Sequence, residues 1–288
     1  MSETIPWEDT YDMAKLMYLV YGYMKAWKIN KSSDISSAVE ELSQEDTRLL
    51  NELSEKYPKG EVLQYYTNKL DLQCVIGKNP KKKRYDIVFR GTDSLTDAAW
   101  DLVICQKQLE DGVKVHQGFY NQLHYGNVFD DMKQFIRQLF VETPDWTVYI
   151  CGHSAGAADS TIASYLLSKE FPNITFNVFT FASPKVGNKK FKEIYNSIPN
   201  LNQLRICYNR DVVTSVPTFS YYHVGNNLWY KSGNETWYYY DKFSAFSYYI
   251  YYFYNVYDHS GIRYVNALEK DYNNPKRKII FKRKVIFK

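Results

Sequence analysis

The sequence predicts an α/β protein with a mostly parallel central sheet and helices on both faces. Three observations lead there. Strand-like apolar runs alternate with helical patterns through the middle of the chain, a glycine-bracketed serine stands where one strand turns into a helix, and short aromatic runs broken by polar turns follow, as antiparallel strands near the C-terminus would.

Ala14, Met17, Tyr18, Tyr21 and Met24 recur at helical spacing, and Val39, Leu42, Leu49, Leu50 and Leu53 do so again, so two helices open the chain. Around Pro58 and Gly60 the period changes. LDLQCVIG and YDIVFRG read as strands joined by the charged turn KNPKKKR, a β-hairpin. Met132, Phe135, Ile136 and Leu139 mark a helix from Val128, WTVYICG reads as a strand, and Ala155 to Glu170 as a helix. NITFNVFTFAS is a further strand, Lys189 to Ile198 a short helix, and QLRICYN a strand ending near Asp211. From Tyr221 to Tyr240, aromatic segments broken by GNN and SGNE suit antiparallel strands at a sheet edge. No repeat or linker divides the chain. The expectation is one domain over residues 1–288, with N-terminal helices to residue 57 packed on it and a basic tail over 275–288.

Composition sets outer limits. A chain of 288 residues with 45% hydrophobic and 24% charged residues is globular, which excludes disordered, collagen-like and low-complexity classes. Its 28 tyrosines are the unusual count. A net charge of +4 is too small to indicate a nucleic-acid binder, and its distribution is uneven: residues 276–288 hold seven basic side chains and no acid. Cys74, Cys105, Cys151 and Cys207 are scattered, with no CxxC pair and no histidine at zinc-ligand spacing, and read as reduced core residues. The N-terminus starts acidic, without a basic flank before an apolar stretch, so no secretory signal is expected. The longest uncharged run, Phe243 to Tyr257, would reach about 22 Å as a helix against about 30 Å of hydrocarbon. An intracellular protein, soluble or peripheral to a membrane, is the expectation.

Gly152-His153-Ser154-Ala155-Gly156 fits G-x-S-x-G at a strand-to-helix turn. Both glycines let such a turn tighten, and the turn exposes the serine hydroxyl at the carboxyl edge of the sheet. A serine alcohol becomes a nucleophile only when a base takes its proton, and the base needs a carboxylate to hold its tautomer and stabilise its cation. Two histidines follow Ser154. His259 lies in the loop-like stretch Tyr-Asp-His-Ser-Gly and is favoured as the base over His223, whose strand-like run suits a buried packing role. For the acid, Asp211 ends a strand and opens a loop, while Asp258 is the rival, disfavoured because neighbouring side chains diverge.

These residues resemble the class 3, or fungal-type triacylglycerol, lipases of the α/β-hydrolase fold. The resemblance spans approximately residues 60–265 and rests on segments in family order: Val88 to Thr92, Val115 to Phe119, the GHSAG turn, Ser183 to Asn188, Asn209 to Asp211 through Pro217, Tyr222 to Gly225, and Asp258-His259. It implies a serine hydrolase acting on carboxylic esters of lipids, with Ser154 as nucleophile, Asp211 as acid and His259 as base, and no metal or organic cofactor. It also implies an oxyanion hole formed by Thr92 and the backbone N–H of Ala155, and a short helical lid over residues 93–101. Phospholipase, monoacylglycerol lipase and thioesterase activities would use the same residues, and a non-catalytic membrane-binding protein retaining the fold is the alternative of another class. Many family members carry Leu and a further Gly where this chain has Ala155 and Ala157, and the aromatic stretch between Tyr240 and Asp258 has no counterpart in the family pattern.

Tyrosine joins an apolar ring to a polar tip, so the Tyr-rich stretch 243–257 suits either a membrane or lipid-droplet surface or a pocket wall. The tail 276–288 alternates basic and apolar blocks, which suits anionic lipid head groups or an ordinary solvated or edge-strand tail.

Overall fold

The computed structural model describes residues 5–30, 47–48, 51, 61–92, 105–241 and 255–282. Helix α1 (Trp7–Asn30) precedes strands β1 (Glu61–Thr67), β2 (Gln73–Asn79) and β3 (Arg84–Phe89). A separate two-stranded ribbon, β4 (Gln106–Glu110) with β5 (Val113–His116), leads into α2 (Gln117–His124) and α3 (Val128–Glu142). Then come β6 (Thr147–His153), α4 (Ala155–Glu170), β7 (Phe176–Phe181), α5 (Lys189–Tyr195) and β8 (Leu201–Tyr208). The last elements are β9 (Asn226–Lys231), β10 (Thr236–Tyr240), α6 (Gly261–Tyr272) and β11 (Lys278–Lys282).

Nine strands form one sheet in the order β1-β2-β3-β6-β7-β8-β9-β10-β11. Its centre is parallel from β3 through β9, antiparallel pairs join β1 to β2, β2 to β3 and β9 to β10, and β11 runs parallel to β10. Every residue of β3 is buried, as befits a parallel strand covered on both faces. On one face α1 and α6 pack through Met17, Val20, Val265 and Leu268 against Val88, Cys151, Phe181 and Ile206. On the other, α2, α3 and α4 pack through Phe119, Met132, Ile162 and Leu167 against Ile76, Ile87, Ile150 and Val178.

Charge fixes the first turn of α1. Lys82 Nζ lies 2.8 Å from Asp9 and 3.3 Å from Asp12, and the Arg84 guanidinium lies 3.2 Å from Asp9 and 2.8 Å from Asp86. Arg84 also stacks 4.5 Å from the Tyr149 ring. Burying a guanidinium is tolerable only with such partners.

The expected hairpin is present as β2–β3, and the strands and helices expected from Val128 to Tyr208 all form. Three things differ. Strand β1 and the β4–β5 ribbon are additional. Strand β10 is not the edge of the sheet, because Lys278–Lys282 of the basic tail pairs outside it, and β9 joins β8 in parallel. Helix α6 was not anticipated: Tyr264, Val265 and Leu268 give it a buried stripe, but Arg263, Asn266 and Glu269 interrupt the apolar pattern closely. Three cysteines are buried and none of the four forms a disulfide, while Cys105 is exposed and so is not a core residue. Most of the second N-terminal helical pattern, the lid candidate 93–101, residues 243–254 of the Tyr-rich stretch and residues 283–288 lie outside the described residues. Among the described residues no helix is long and apolar enough to cross a membrane.

One buried group is at odds with its surroundings. Asp159 on α4 is 1% exposed, neither carboxylate oxygen has a hydrogen-bond partner among the described residues, and burial lifts its carboxyl well above the ordinary carboxylate range. A folded-state pKa raised above 3.8 means that stability is lost as pH rises from that value toward the folded pKa. Asp159→Asn removes the charge. Its stability gain over the wild-type chain is expected to be near zero at pH 4 and to grow by up to about 1.4 kcal/mol per pH unit above it, read from urea unfolding across pH.

Candidate active site

Strand β6 ends at His153 and α4 begins at Ala155, so Ser154 alone makes the turn. Its backbone is left-handed, with φ 58° and ψ −122°, a conformation costly for a residue with a side chain. The surroundings hold it there: Ser154 N–H donates to Phe181 O at 3.0 Å, and Ser154 O accepts from Ala157 and Ala158. Two glycines make room. A Cβ on Gly152 would stand 2.3 Å from Gly156 O, and one on Gly156 would stand 2.6 Å from Phe89 O. The serine side chain does not cap the helix it starts, and its buried Oγ has no hydrogen-bond partner among the described residues.

Asp211 leaves the end of β8, and its Oδ1 accepts from Val213 N–H at 3.0 Å in a local turn. His259 arrives from the other side of the chain, at the end of the turn 256–259 that precedes α6. Its Nδ1 lies 2.9 Å from both Asp211 oxygens, so Nδ1 carries the proton and Nε2 is left as the basic atom. That Nε2 is buried and has no hydrogen-bond partner among the described residues. Tyr264 adds a hydroxyl donor to Asp211 Oδ2 at 2.6 Å.

The rival residues are occupied elsewhere. Asp258 accepts from Asn209 Nδ2 at 2.8 Å, from the Arg210 backbone N–H at 3.2 Å and from Arg263 at 3.2 Å, so it ties the loop of His259 to the loop of Asp211. His223 donates Nε2–H to Thr214 O at 2.8 Å, and burial, with Arg205 and Lys185 nearby, holds its ring neutral. In the structure it is Asp211 that pairs with His259 Nδ1, while Asp258 and His223 bond to other groups.

Thr92 follows β3 on a loop that abuts the serine, since a Cβ on Gly91 would come within 3.4 Å of Ser154 Cβ. Its buried Oγ1 also has no partner among the described residues. Thr92, His153 and His259 line one cavity of about 400 Å³ together with Tyr18, Tyr21 and Tyr257. Ser154 itself is fully buried and does not line this cavity, and Ala155, the other expected oxyanion residue, is buried as the first residue of α4. Three polar atoms without partners, Ser154 Oγ, His259 Nε2 and Thr92 Oγ1, thus lie on segments that meet at one end of the sheet.

Sequence reasoning missed His153, Tyr21 and Tyr264. His153 donates Nε2–H to the backbone O of His259 at 2.8 Å and accepts at Nδ1 from the Tyr21 hydroxyl at 3.2 Å. Burial, and His259 beside it, keep its ring neutral. No sequence signal marks Tyr21 among 28 tyrosines, and Tyr264 stands in the unanticipated α6. Among the described residues no cluster of His, Cys, Asp and Glu is arranged to hold a metal ion.

Residues 87–221 match the family described as lipase (class 3). A lipase of Rhizopus niveus is 30% identical over 184 residues, covering 61% of this chain and 46% of that protein. The secreted mono- and diacylglycerol lipase A of Penicillium cyclopium is 28% identical over 153 residues, covering 51% of this chain and 48% of that protein. The chain therefore spans about half the length of the curated relatives it matches. Among solved structures, lipase II from Rhizopus niveus superposes with a TM-score of 0.72 at 24% identity, over 88% of this chain and 92% of that one. The fold is that of an α/β-hydrolase.

The turn geometry makes a testable demand. Gly156→Ala places a methyl against the backbone of Phe89 and Arg90 and is expected to lower stability by about 1–3 kcal/mol in urea unfolding. Gly233→Ala, where a Cβ meets nothing within 4 Å, is expected to stay within about 0.5 kcal/mol of wild type.

Proposed function

We propose that the chain is a member of the class 3 lipase family and a serine hydrolase that cleaves carboxylic ester bonds of lipids through an acyl-serine intermediate. The observation that carries this reading is the pairing of a braced imidazole with two idle atoms. Asp211 grips His259 Nδ1 while His259 Nε2 and Ser154 Oγ are committed to nothing else among the described residues.

In this reading His259 Nε2 takes the Ser154 hydroxyl proton as Oγ bonds to the ester carbonyl carbon. Asp211 stabilises the imidazolium that results. The carbonyl oxygen becomes an oxyanion, met by the Ala155 backbone N–H and by Thr92. Donors placed for that charge contribute about 3–4 kcal/mol each in acyl transfer. The tetrahedral adduct collapses, the leaving alcohol takes the proton from His259, and an acyl-serine remains. Water then repeats the sequence, with His259 again first base and then acid, and releases the carboxylic acid.

Aromatic walls favour an acyl chain over a polar substrate. Tyr18, Tyr21, Val256 and Tyr257 flank the cavity, and Val256 and Tyr257 stay 45% and 76% exposed at its rim. Such a rim supports work at a lipid–water boundary. One continuous sheet beneath the site supports the reading of a single catalytic domain.

Ser154→Ala is expected to lower kcat on p-nitrophenyl butyrate at least about 1,000-fold with the fold retained, and to abolish fluorophosphonate labelling. Hydrolysis at the wild-type rate would overturn the assignment. A wild-type chain that neither hydrolyses esters nor takes the label, yet binds liposomes, would favour the non-catalytic alternative. Comparing triacylglycerol, monoacylglycerol, phospholipid and acyl-thioester substrates then fixes the specificity.

A further inference from the structure

Asp211 is 2% exposed, and three donors reach its carboxylate. His259 Nδ1 lies 2.9 Å from each oxygen, Val213 N–H holds Oδ1 at 3.0 Å, and the Tyr264 hydroxyl holds Oδ2 at 2.6 Å. The histidine is the proposed base and the amide is part of a local turn. Tyr264 comes from α6, five residues beyond His259, and is the shortest of the three contacts.

We infer that Tyr264 is a positioning residue for the acid: its hydroxyl, opposed by the Val213 amide, stops the Asp211 carboxylate from rotating away from His259 and shares the negative charge that supports the imidazolium. This rests on the reading of Ser154, Asp211 and His259 given above. Two further observations set Tyr264 apart from an ordinary packed aromatic. Its ring is fixed by neighbours other than Asp211, with His153 edge-on at 6.0 Å, Phe181 edge-on at 6.3 Å and Tyr208 at 5.7 Å, so ring packing aims the hydroxyl at the carboxylate. Burial, and Asp211 beside it, keep the phenol protonated far above its usual range, so it donates at every pH at which an esterase would work.

A fixed carboxylate has a chemical consequence. With Oδ1 and Oδ2 each held, His259 Nδ1 sits equidistant from both, and the ring orientation that aims Nε2 is set by the acid rather than by solvent. A donor on Oδ2 also draws charge from the carboxylate, which weakens its hold on a positive imidazole. The hydroxyl therefore exchanges some basicity of His259 for orientation.

Tyr264→Phe removes only the oxygen. It is expected to lower kcat on p-nitrophenyl butyrate about tenfold with KM within twofold, and to move the acid limb of the kcat/KM profile to higher pH, because Asp211 then keeps its full charge for His259. Placing 3-fluorotyrosine at 264, a stronger donor of nearly the same shape, should move that limb the other way. In an Asp211→Asn background, Tyr264→Phe should have little further effect, since the charge it serves is gone. The inference is overturned if Tyr264→Phe matches wild type in kcat and pH limb, or if it costs the same factor with and without Asp211. Should Tyr264→Phe fail to fold, the fluorinated protein decides: an unmoved acid limb overturns the inference. An inactive wild-type chain removes both this inference and the function it rests on, whereas an active wild type indifferent to position 264 removes this inference alone.

Discussion

A backbone approach with no room for a methyl group governs the architecture. The last residues of β3, the end of β6 and the first turn of α4 come so close that Gly152 and Gly156 can carry no Cβ, and Ser154 between them is forced into a left-handed conformation. A strained residue persists only when its surroundings over-determine it. Here they do: β6 is locked between β3 and β7, the Ser154 N–H pairs with β7, and α4 is buried along nearly its whole length. The strain is thus borne by the sheet as a whole and confined to one side chain.

Around that turn, other segments converge from far along the chain. The β3 loop brings Thr92, the end of β8 brings Asp211, and the turn before α6 brings His259. Helix α6 packs on α1 and on the sheet, so the N-terminal helix, distant in sequence, takes part in placing the segment that carries His259. Asp258 and Asp211 divide the work: one ties two loops together through Asn209, Arg210 and Arg263, and the other holds the imidazole.

Much of this was legible in the sequence because local rules and global fold agree there. GHSAG stands between an apolar strand and an Ala-rich helix, the loop setting of His259 separated it from His223, and the divergence of adjacent side chains separated Asp211 from Asp258. What could not be read has a physical reason in each case. Strands β1 and β4 mix apolar with polar residues, and Gln106–Glu110 is largely exposed, so its pairing with Val113–His116 leaves no apolar run. The parallel docking of Lys278–Lys282 beside β10 depends on an edge left open by a distant pair of strands. Tyr21, His153 and Tyr264 are joined to the site by hydroxyl and imidazole hydrogen bonds, two of the three spanning 100 or more positions, separations at which side-chain spacing carries no signal.

The bond from His153 to the carbonyl of His259 bears on how the site behaves when the protein fluctuates. His153 is covalently joined to Ser154, so the peptide carrying the imidazole is fastened to the residue next to the hydroxyl, not to a remote part of the scaffold. That bond and the peptide link to Ser154 share one residue, so a displacement of the end of β6 carries the serine and the His259 peptide together.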